Sequence, residues 1–194
     1  MRIFQKQVKQ LSDEELMKLL SKGNQKAFDE IYLRYSDVLF GYFMKMLARD
    51  KEKCEDMVHD LFAKIIRKPD YFNVNRSFRT WVFSVACNMC KNEYKRMSVR
   101  KHVSNDFEPT KSLQAESDTL KKVHESTFSE SFFKALNAFD EKHKNVFALR
   151  HFEGLSMKEI AETIEINEGT VKSRLFYATK TLAKELKEFK GFSN

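Results

Sequence analysis

The run from Gly154 to Leu186, GLSMKEIAETIEINEGTVKSRLFYATKTLAKEL, constrains the chain most, because it holds two abutting helix signals with room for only a tight turn between them. Ser156 and Glu159 form a capping box that fixes where the first helix begins, and Ile160, Ala161 and Ile164 give it one apolar face. Glu165 to Glu168 breaks the periodicity, and Asn167 is placed to cap a second helix through Val171, Leu175, Ala178, Leu182 and Leu186. At about 100° per residue, the opposite face carries Ser173, Phe176, Lys180 and Lys184, flanked by Lys172, Arg174 and Tyr177. This pattern predicts a helix-turn-helix whose second helix suits the major groove of DNA. The competing reading is an ordinary amphipathic hairpin with a solvated basic face.

The rest of the chain is also helical in period. With 5 Gly and 2 Pro in 194 residues there are few turn signals, and no segment alternates with the period of a strand. The fold class expected is all-α, with two helical domains joined by a flexible linker. In the first half, Ser12 and Glu15 open a helix over Ser12 to Ser21, and Gly23 and Asn24 separate it from a longer one over Gln25 to Ala48. The longer helix carries a core stripe of Phe28, Ile31, Tyr32, Tyr35, Leu39, Tyr42, Phe43 and Leu47.

A third helix, Lys53 to Arg67, opposes an apolar face of Val58, Leu61, Phe62 and Ile65 to a polar one of Asp56, His59 and Asp60. Pro69 ends it. The loop DYFNVNRS then leads to a fourth helix from Phe78 to about Arg96. Phe78, Val82, Val85 and Met89 are its expected buried face, and Ser84, Asn88, Lys91 and Lys95 form a polar stripe opposite. From Ser98 the apolar periodicity is lost until Phe128, where two further helices, Phe128 to Phe139 and Asp140 to Phe152, lead into Gly154. The expected domains are therefore 1–97 and 128–194, with 98–127 as linker.

The formal net charge of +7 favours an anionic partner, nucleic acid first. Most of the excess lies before Ser98, where 19 basic residues face 13 acidic ones. Within so basic a chain the Asp56 and Asp60 face is repelled by phosphate, and suggests a basic protein surface as its partner. No stretch approaches the roughly 20 apolar residues of a membrane span, and no signal peptide is visible, so a cytoplasmic protein with no membrane insertion is expected. Cys87 and Cys90 form a C-x-x-C, with Cys54 and His59 as the residues that could join them in a metal or redox site. Cysteines three apart on a helix more often pack as small apolar side chains, so no metal or cofactor is expected. No carboxylate dyad, activated nucleophile or phosphate loop argues for an enzyme.

Three further runs complete the pattern. KAFDEIYLRY at Lys26 to Tyr35, EDMVHDLFAK at Glu55 to Lys64 and SFRTWVF at Ser77 to Phe83 resemble region two of the extracytoplasmic-function sigma factors, the small alternative specificity subunits of bacterial RNA polymerase. GTVKSRL at Gly169 to Leu175, behind SMKEIA at Ser156 to Ala161, resembles their promoter-reading region four. The family commonly continues with R-A-R where Tyr177, Ala178 and Thr179 stand here, and has a Gln at the place of His59. The resemblance implies that Asp56, His59 and Asp60 contact the clamp helices of core polymerase. It implies that Asn75, Arg76, Ser77 and Arg79, with Asn88, Lys91 and Lys95 behind them, take the minus-ten element as a separated strand. Lys172, Ser173, Arg174, Phe176, Tyr177 and Lys180 would face minus-thirty-five DNA, and an anti-sigma factor would be a further partner. A helix-turn-helix regulator acting without polymerase is the alternative, and it would be expected to bind a palindrome as a dimer.

Overall fold

The computed structural model describes residues 8–48, 50–103 and 120–187, and among these it is helical throughout, without a strand. The elements are α1 (Asp13–Leu20), α2 (Gln25–Met46), α3 (Lys51–Arg67), a single 3-10 turn at Pro69–Tyr71, α4 (Phe78–Val103), α5 (Leu120–Asn137), α6 (Glu141–His151), α7 (Met157–Ile164) and α8 (Glu168–Glu185). The ends follow local chemistry. Ser12 and Glu15 make the expected capping box, with Ser12 N donating to Glu15 Oε2 at 2.7 Å and Glu15 N to Ser12 Oγ at 3.2 Å. Asn24, Asp50 and Asp140 cap α2, α3 and α6 through their side-chain oxygens.

Two boundaries differ by more than two residues from the sequence expectation. Helix α4 does not stop near Arg96 but continues to Val103, and α5 begins at Leu120 rather than Phe128, so helical backbone enters both ends of 98–127. An apolar stripe is needed to bury a helix but not to form one, and neither NEYKRMSVRK nor LKKVHEST contains Gly or Pro to break it. Residues 104–119 lie outside the described residues.

The amino-terminal helices surround Leu39, Tyr42, Phe43, Leu61, Phe78 and Phe83, all fully buried. Aromatic edges lock their packing, with Phe83 at 5.5 Å from Tyr42 and Phe78 at 5.1 Å from Tyr35, both nearly perpendicular. Tyr32, expected in this core, instead sits at its rim, partly exposed, with its ring 4.7 Å from that of Phe62. On α4 the buried apolar residues are Phe78, Val82, Phe83, Ala86, Cys87 and Cys90, while Val85 and Met89 are only partly covered. Helix α1 is tied down by Arg34, which donates to Asp13 Oδ1 at 2.7 Å, Glu30 Oε1 at 2.9 Å and the carbonyls of Leu11 and Lys9. In return α1 supplies Glu14, whose Oε1 accepts from Phe78 N at 2.9 Å and satisfies a free amide at the start of α4.

The carboxy-terminal helices rest directly on this bundle. Helix α6 packs on α2 and α7 on α4. Val146, Ala148, Leu149, Leu155 and Ile160 join the same apolar core as the amino-terminal residues. A second cluster, Ala135, Leu136, Phe147, Ala178 and Leu182, fixes α5, α6 and α8 to one another.

Burial leaves an alkaline signature. It raises the thiol pKa of Cys54 to about 12, and raises those of Cys87 and Cys90. It also raises the phenols Tyr35, Tyr42 and Tyr94. Burial of Lys144 works the other way and lowers its ammonium to about 8. Above the ordinary thiol value, near about 8.5, the unfolded chain releases protons that the folded chain keeps, so these groups make stability fall as pH rises. Between about 8 and the ordinary lysine value of 10.5, the unfolded chain holds a proton that folded Lys144 lacks, so this one group makes stability rise. Three thiols and three phenols outweigh one amine. The melting temperature should therefore fall from pH 8 to pH 10, and fall more steeply in Lys144→Met; a rise over that range in the unaltered protein would contradict the balance.

Candidate nucleic-acid interface

The helix-turn-helix forms as its sequence predicts. Ser156 and Glu159 close a second capping box, with Ser156 N to Glu159 Oε2 at 2.8 Å and Glu159 N to Ser156 Oγ at 3.2 Å. Gly154, with φ +68°, provides the left-handed step between α6 and α7 that other residues adopt only with strain. The turn into α8 runs through Glu165, itself left-handed at φ +57°, with Ile166 N donating back to Ala161 O at 3.0 Å. Asn167 then caps α8, its Oδ1 accepting from Thr170 N at 2.7 Å and Thr170 Oγ1 at 2.9 Å. A side chain at Gly169 would place Cβ at 3.3 Å from that same oxygen, so glycine keeps the cap clear.

Val171, Ala178 and Leu182 are buried, with Leu175 and Leu186 partly so, which turns the predicted face outward. Phe176 is 61% exposed and Tyr177 58% exposed, large values for aromatic side chains on a folded surface. Their rings meet edge to face at 5.6 Å, and Lys180 Nζ lies 6.0 Å from the centre of Phe176. Tyr177 also leans toward His143 of α6, with ring centres 6.4 Å apart. Lys172 and Ser173 are exposed, and Arg174 is half-buried. Ser173 Oγ donates to Thr170 O at 3.0 Å, so its proton is committed within the helix while its lone pairs face out.

Asn75, Arg76, Ser77 and Arg79 are all exposed around the turn into α4. The turn is preset by Asn73, whose Oδ1 accepts from Asn75 N at 3.0 Å and whose carbonyl accepts from Arg76 N at 2.9 Å. Ser77 Oγ accepts from Thr80 N at 3.3 Å. Along α4, Asn88 and Lys95 are exposed and Lys91 is half-buried, so the stripe continues from the loop on one helix. Next to the loop, Tyr71 is 70% exposed and accepts a hydrogen bond from Lys68 Nζ at 2.7 Å, an aromatic and cation pair that the sequence expectation passed over. Asp56, His59 and Asp60 are exposed together on the outer side of α3.

The structure also joins residues that periodicity alone left unconnected. Lys144 and Asn145 are buried although they close the polar run Glu141 to Asn145 that opens α6. Lys144 Nζ donates to Met46 O at 3.0 Å and Asn137 Oδ1 at 2.7 Å, and Tyr42 OH donates to Asn145 Oδ1 at 2.9 Å. Arg79 is not free: its guanidinium donates to the carbonyl of Glu153. Nothing local marked Lys144 and Asn145, since they continue the polar run from Glu141; only their partners show that they face inward. The three cysteines are all buried, and Cys87 Sγ lies 3.2 Å from Tyr42 OH.

Both halves of this arrangement match known family models, Sigma-70 region 2 over residues 31–99 and Sigma-70, region 4 over residues 129–182. The chain is an extracytoplasmic-function sigma factor of the sigma-70 family. It is 28% identical over 181 residues to the ECF RNA polymerase sigma-E factor of Escherichia coli strain K12, covering 89% of this chain and 93% of that one. To the RNA polymerase sigma-H factor of Pseudomonas aeruginosa it is 26% identical over 184 residues, covering 91% and 95%. Two solved structures share the fold. One is the sigma factor RpoE in complex with the anti-sigma factor NepR from Bartonella quintana, at TM-score 0.69 and 23% identity over 84% of this chain and 98% of that one. The other is CnrH in complex with the cytosolic domain of CnrY, at TM-score 0.67 and 20% identity over 91% and 97%. As a sigma factor the protein directs core RNA polymerase to specific promoters and initiates transcription there. Sigma factors are initiation factors without enzymatic activity of their own. Among the described residues no helix is long and apolar enough to cross a membrane.

Proposed function

We propose that promoter recognition is divided between two surfaces of this sigma factor and polymerase recruitment is carried by a third. The amino-terminal domain, 1–97, presents Asp56, His59 and Asp60 to the clamp helices of core polymerase. Its loop and α4, through Asn75, Arg76, Ser77, Arg79, Asn88, Lys91 and Lys95, hold the minus-ten element as a separated strand. The carboxy-terminal domain, 128–194, lays α8 into the major groove at minus thirty-five, with Lys172, Ser173, Arg174, Phe176, Tyr177 and Lys180 facing the duplex. Residues 98–127 connect the two. Polymerase and promoter both place its action in the cytoplasm. No cofactor enters this scheme.

The observation that carries the reading is the pairing, in family order, of an exposed basic and aromatic recognition helix with a preset polar loop that opens onto a basic helix stripe. A regulator acting without polymerase requires only the first of these and leaves the acidic face of α3 without a purpose. An anti-sigma protein is a further partner, supported by the complex of the similarly folded RpoE with NepR.

The minus-ten assignment is tested with holoenzyme on a linear promoter. Arg76→Ala and Asn88→Ala should reduce permanganate reactivity of the melted region by about tenfold at matched duplex occupancy, since losing one or two polar contacts to a strand is worth about 1–2 kcal/mol. Equal opening in wild type and variants would remove these residues from the strand-binding surface.

A further inference from the structure

We propose that Tyr71, with Lys68 beside it, is a stacking platform for one unpaired base of the separated promoter strand, a site additional to the polar residues Asn75, Arg76, Ser77 and Arg79. This rests on the reading that those residues hold the minus-ten element as a single strand.

The local sequence presents the ring and holds it in place. Pro69 disfavours helical backbone in the residue before it, and Lys68 accordingly leaves the helix at φ −144° and ψ 63°, which ends α3 and starts the turn Pro69–Tyr71. Tyr71 N donates to Lys68 O at 3.1 Å and Phe72 N to Pro69 O at 3.2 Å, closing that turn. Phe72 anchors it from inside: it is 4% exposed, with its ring 5.4 Å from that of Phe78 and 5.3 Å from that of Trp81. Tyr71 is left outside, and at 70% it is the most exposed of the large apolar and aromatic side chains among the described residues. Lys68 steadies it there, with Nζ donating to the phenol at 2.7 Å and standing 4.8 Å from the ring centre. A ring on an anchored turn, with its side chain already held, loses little further freedom when a ligand covers it.

The charge around the ring selects the ligand. From Lys64 to Arg79 the cations are Lys64, Arg67, Lys68, Arg76 and Arg79, against the single carboxylate of Asp70. That balance attracts phosphate. A single strand uses an aromatic face in a cationic setting, because a base stacks on the ring while its phosphates meet the ammonium groups. Lys68 gives one of its three N–H donors to Tyr71 and keeps the others for a phosphate. Paired DNA cannot use the ring in this way, since its base faces are covered by their neighbours and only base edges are open in the grooves. Tyr71 therefore engages once the strands have parted. Asn75 lies four residues further on, a reach of at most about 14 Å. At about 3.4 Å per nucleotide the stacked base falls within about four nucleotides of those held by the loop, on the same strand. Every base has a face to stack, so the platform stabilises the open strand without changing which promoter is preferred.

The test uses holoenzyme and a fluorescein-labelled single-stranded 12-mer carrying the minus-ten element of a promoter that it opens, with binding read by fluorescence anisotropy. Circular dichroism and core binding establish that each variant is folded and assembled. Tyr71→Ala should weaken strand binding by at least about fivefold, the lower end of what one stacked base contributes, and Tyr71→Phe, which keeps the ring, should stay within about twofold of wild type. Replacing the bases one at a time by abasic sites then locates the contact. One position should cost the wild type about fivefold and Tyr71→Ala less than about twofold, because a ring already removed cannot lose its base. Wild-type affinity in Tyr71→Ala, or the same abasic profile in both proteins, would overturn the platform. Equal losses in Tyr71→Ala and Tyr71→Phe would also overturn it, by assigning the effect to the hydroxyl, and so would a loss of core affinity in Tyr71→Ala, by assigning the ring to polymerase. Arg76→Ala and Asn88→Ala on the same 12-mer keep the two claims apart. If these weaken binding and Tyr71→Ala does not, the platform falls and the loop stands; if all three bind as wild type, the strand-binding reading falls and the platform with it.

Discussion

Reversing both charges in Asp56→Lys with Asp60→Lys should weaken binding of core polymerase by roughly 100-fold while leaving the melting temperature nearly unchanged. The two carboxylates lie on the exposed side of α3, and the opposite side of that helix, through Met57, Val58, Leu61, Phe62 and Ile65, supplies the core. Substitutions confined to such an exposed face alter stability by less than about 0.5 kcal/mol. Against a basic partner the cost differs, because two attractions become two repulsions and like charges brought together cost several kcal/mol; about 3 kcal/mol corresponds to that fold-change. His59 stands between the two aspartates, and His59→Gln, which keeps a polar side chain of similar reach, should shift affinity by less than about threefold. Biolayer interferometry with immobilised core enzyme measures all three variants, and retention of wild-type affinity by the double reversal would remove α3 from the polymerase interface.

How much of this was legible before the structure depends on the range over which the determining contact acts. Helix starts were legible because caps are local: Ser12, Ser156 and Asn167 each hold an amide three residues on, and all three were readable from spacing alone. The outward face of α8 was legible for a related reason, since Val171, Ala178 and Leu182 commit one side of the helix and the other side follows from geometry. The end of α4 was not, because the helix outlasts the apolar stripe used to trace it. Tyr32 had the right period for the core but falls at the rim, where its ring meets that of Phe62 of α3. Period gives direction along a helix face and says nothing of how wide the opposing surface is.

The contact between domains was least legible. Tyr42 and Asn145 stand 103 positions apart, and no periodicity relates residues on different helices. Lys144 and Asn145 left no trace of it in the sequence, because they continue the polar run from Glu141, yet facing inward they require partners from elsewhere. Arg79 shows the limit of motif reading. Its place in a recognisable loop is the ground for the proposed contact with promoter DNA, whereas its partner in the structure, the Glu153 carbonyl, comes from the other half of the chain.

Substitutions on α8 should separate into two kinds when assayed on a randomised minus-thirty-five library. Ser173 and Phe176 occupy the centre of the exposed face. The Ser173 hydroxyl already gives its proton to Thr170 O, so it faces the groove as an acceptor and suits a base that offers an exocyclic amine there, cytosine or adenine. Phe176, apolar and 61% exposed, suits contact with a thymine methyl group. Ser173→Ala and Phe176→Ala should each relax preference at one or two positions, by about 1–3 kcal/mol or roughly 5-fold to 150-fold in relative affinity, while leaving the other positions ranked as before. Lys172→Ala and Lys180→Ala should instead weaken all sequences alike and reduce the salt slope by about one unit each, as expected when a phosphate contact is lost. Tyr177 stands where the family commonly has arginine, and its ring leans toward His143 at the edge of the face. Tyr177→Arg should therefore raise affinity for every duplex without changing the preferred sequence, because a cation at that edge meets the backbone before it meets a base. If the selected sequences remain those of the wild type in both Ser173→Ala and Phe176→Ala, α8 does not read base edges through its central residues, and its affinity for the element comes from the flanking cations alone.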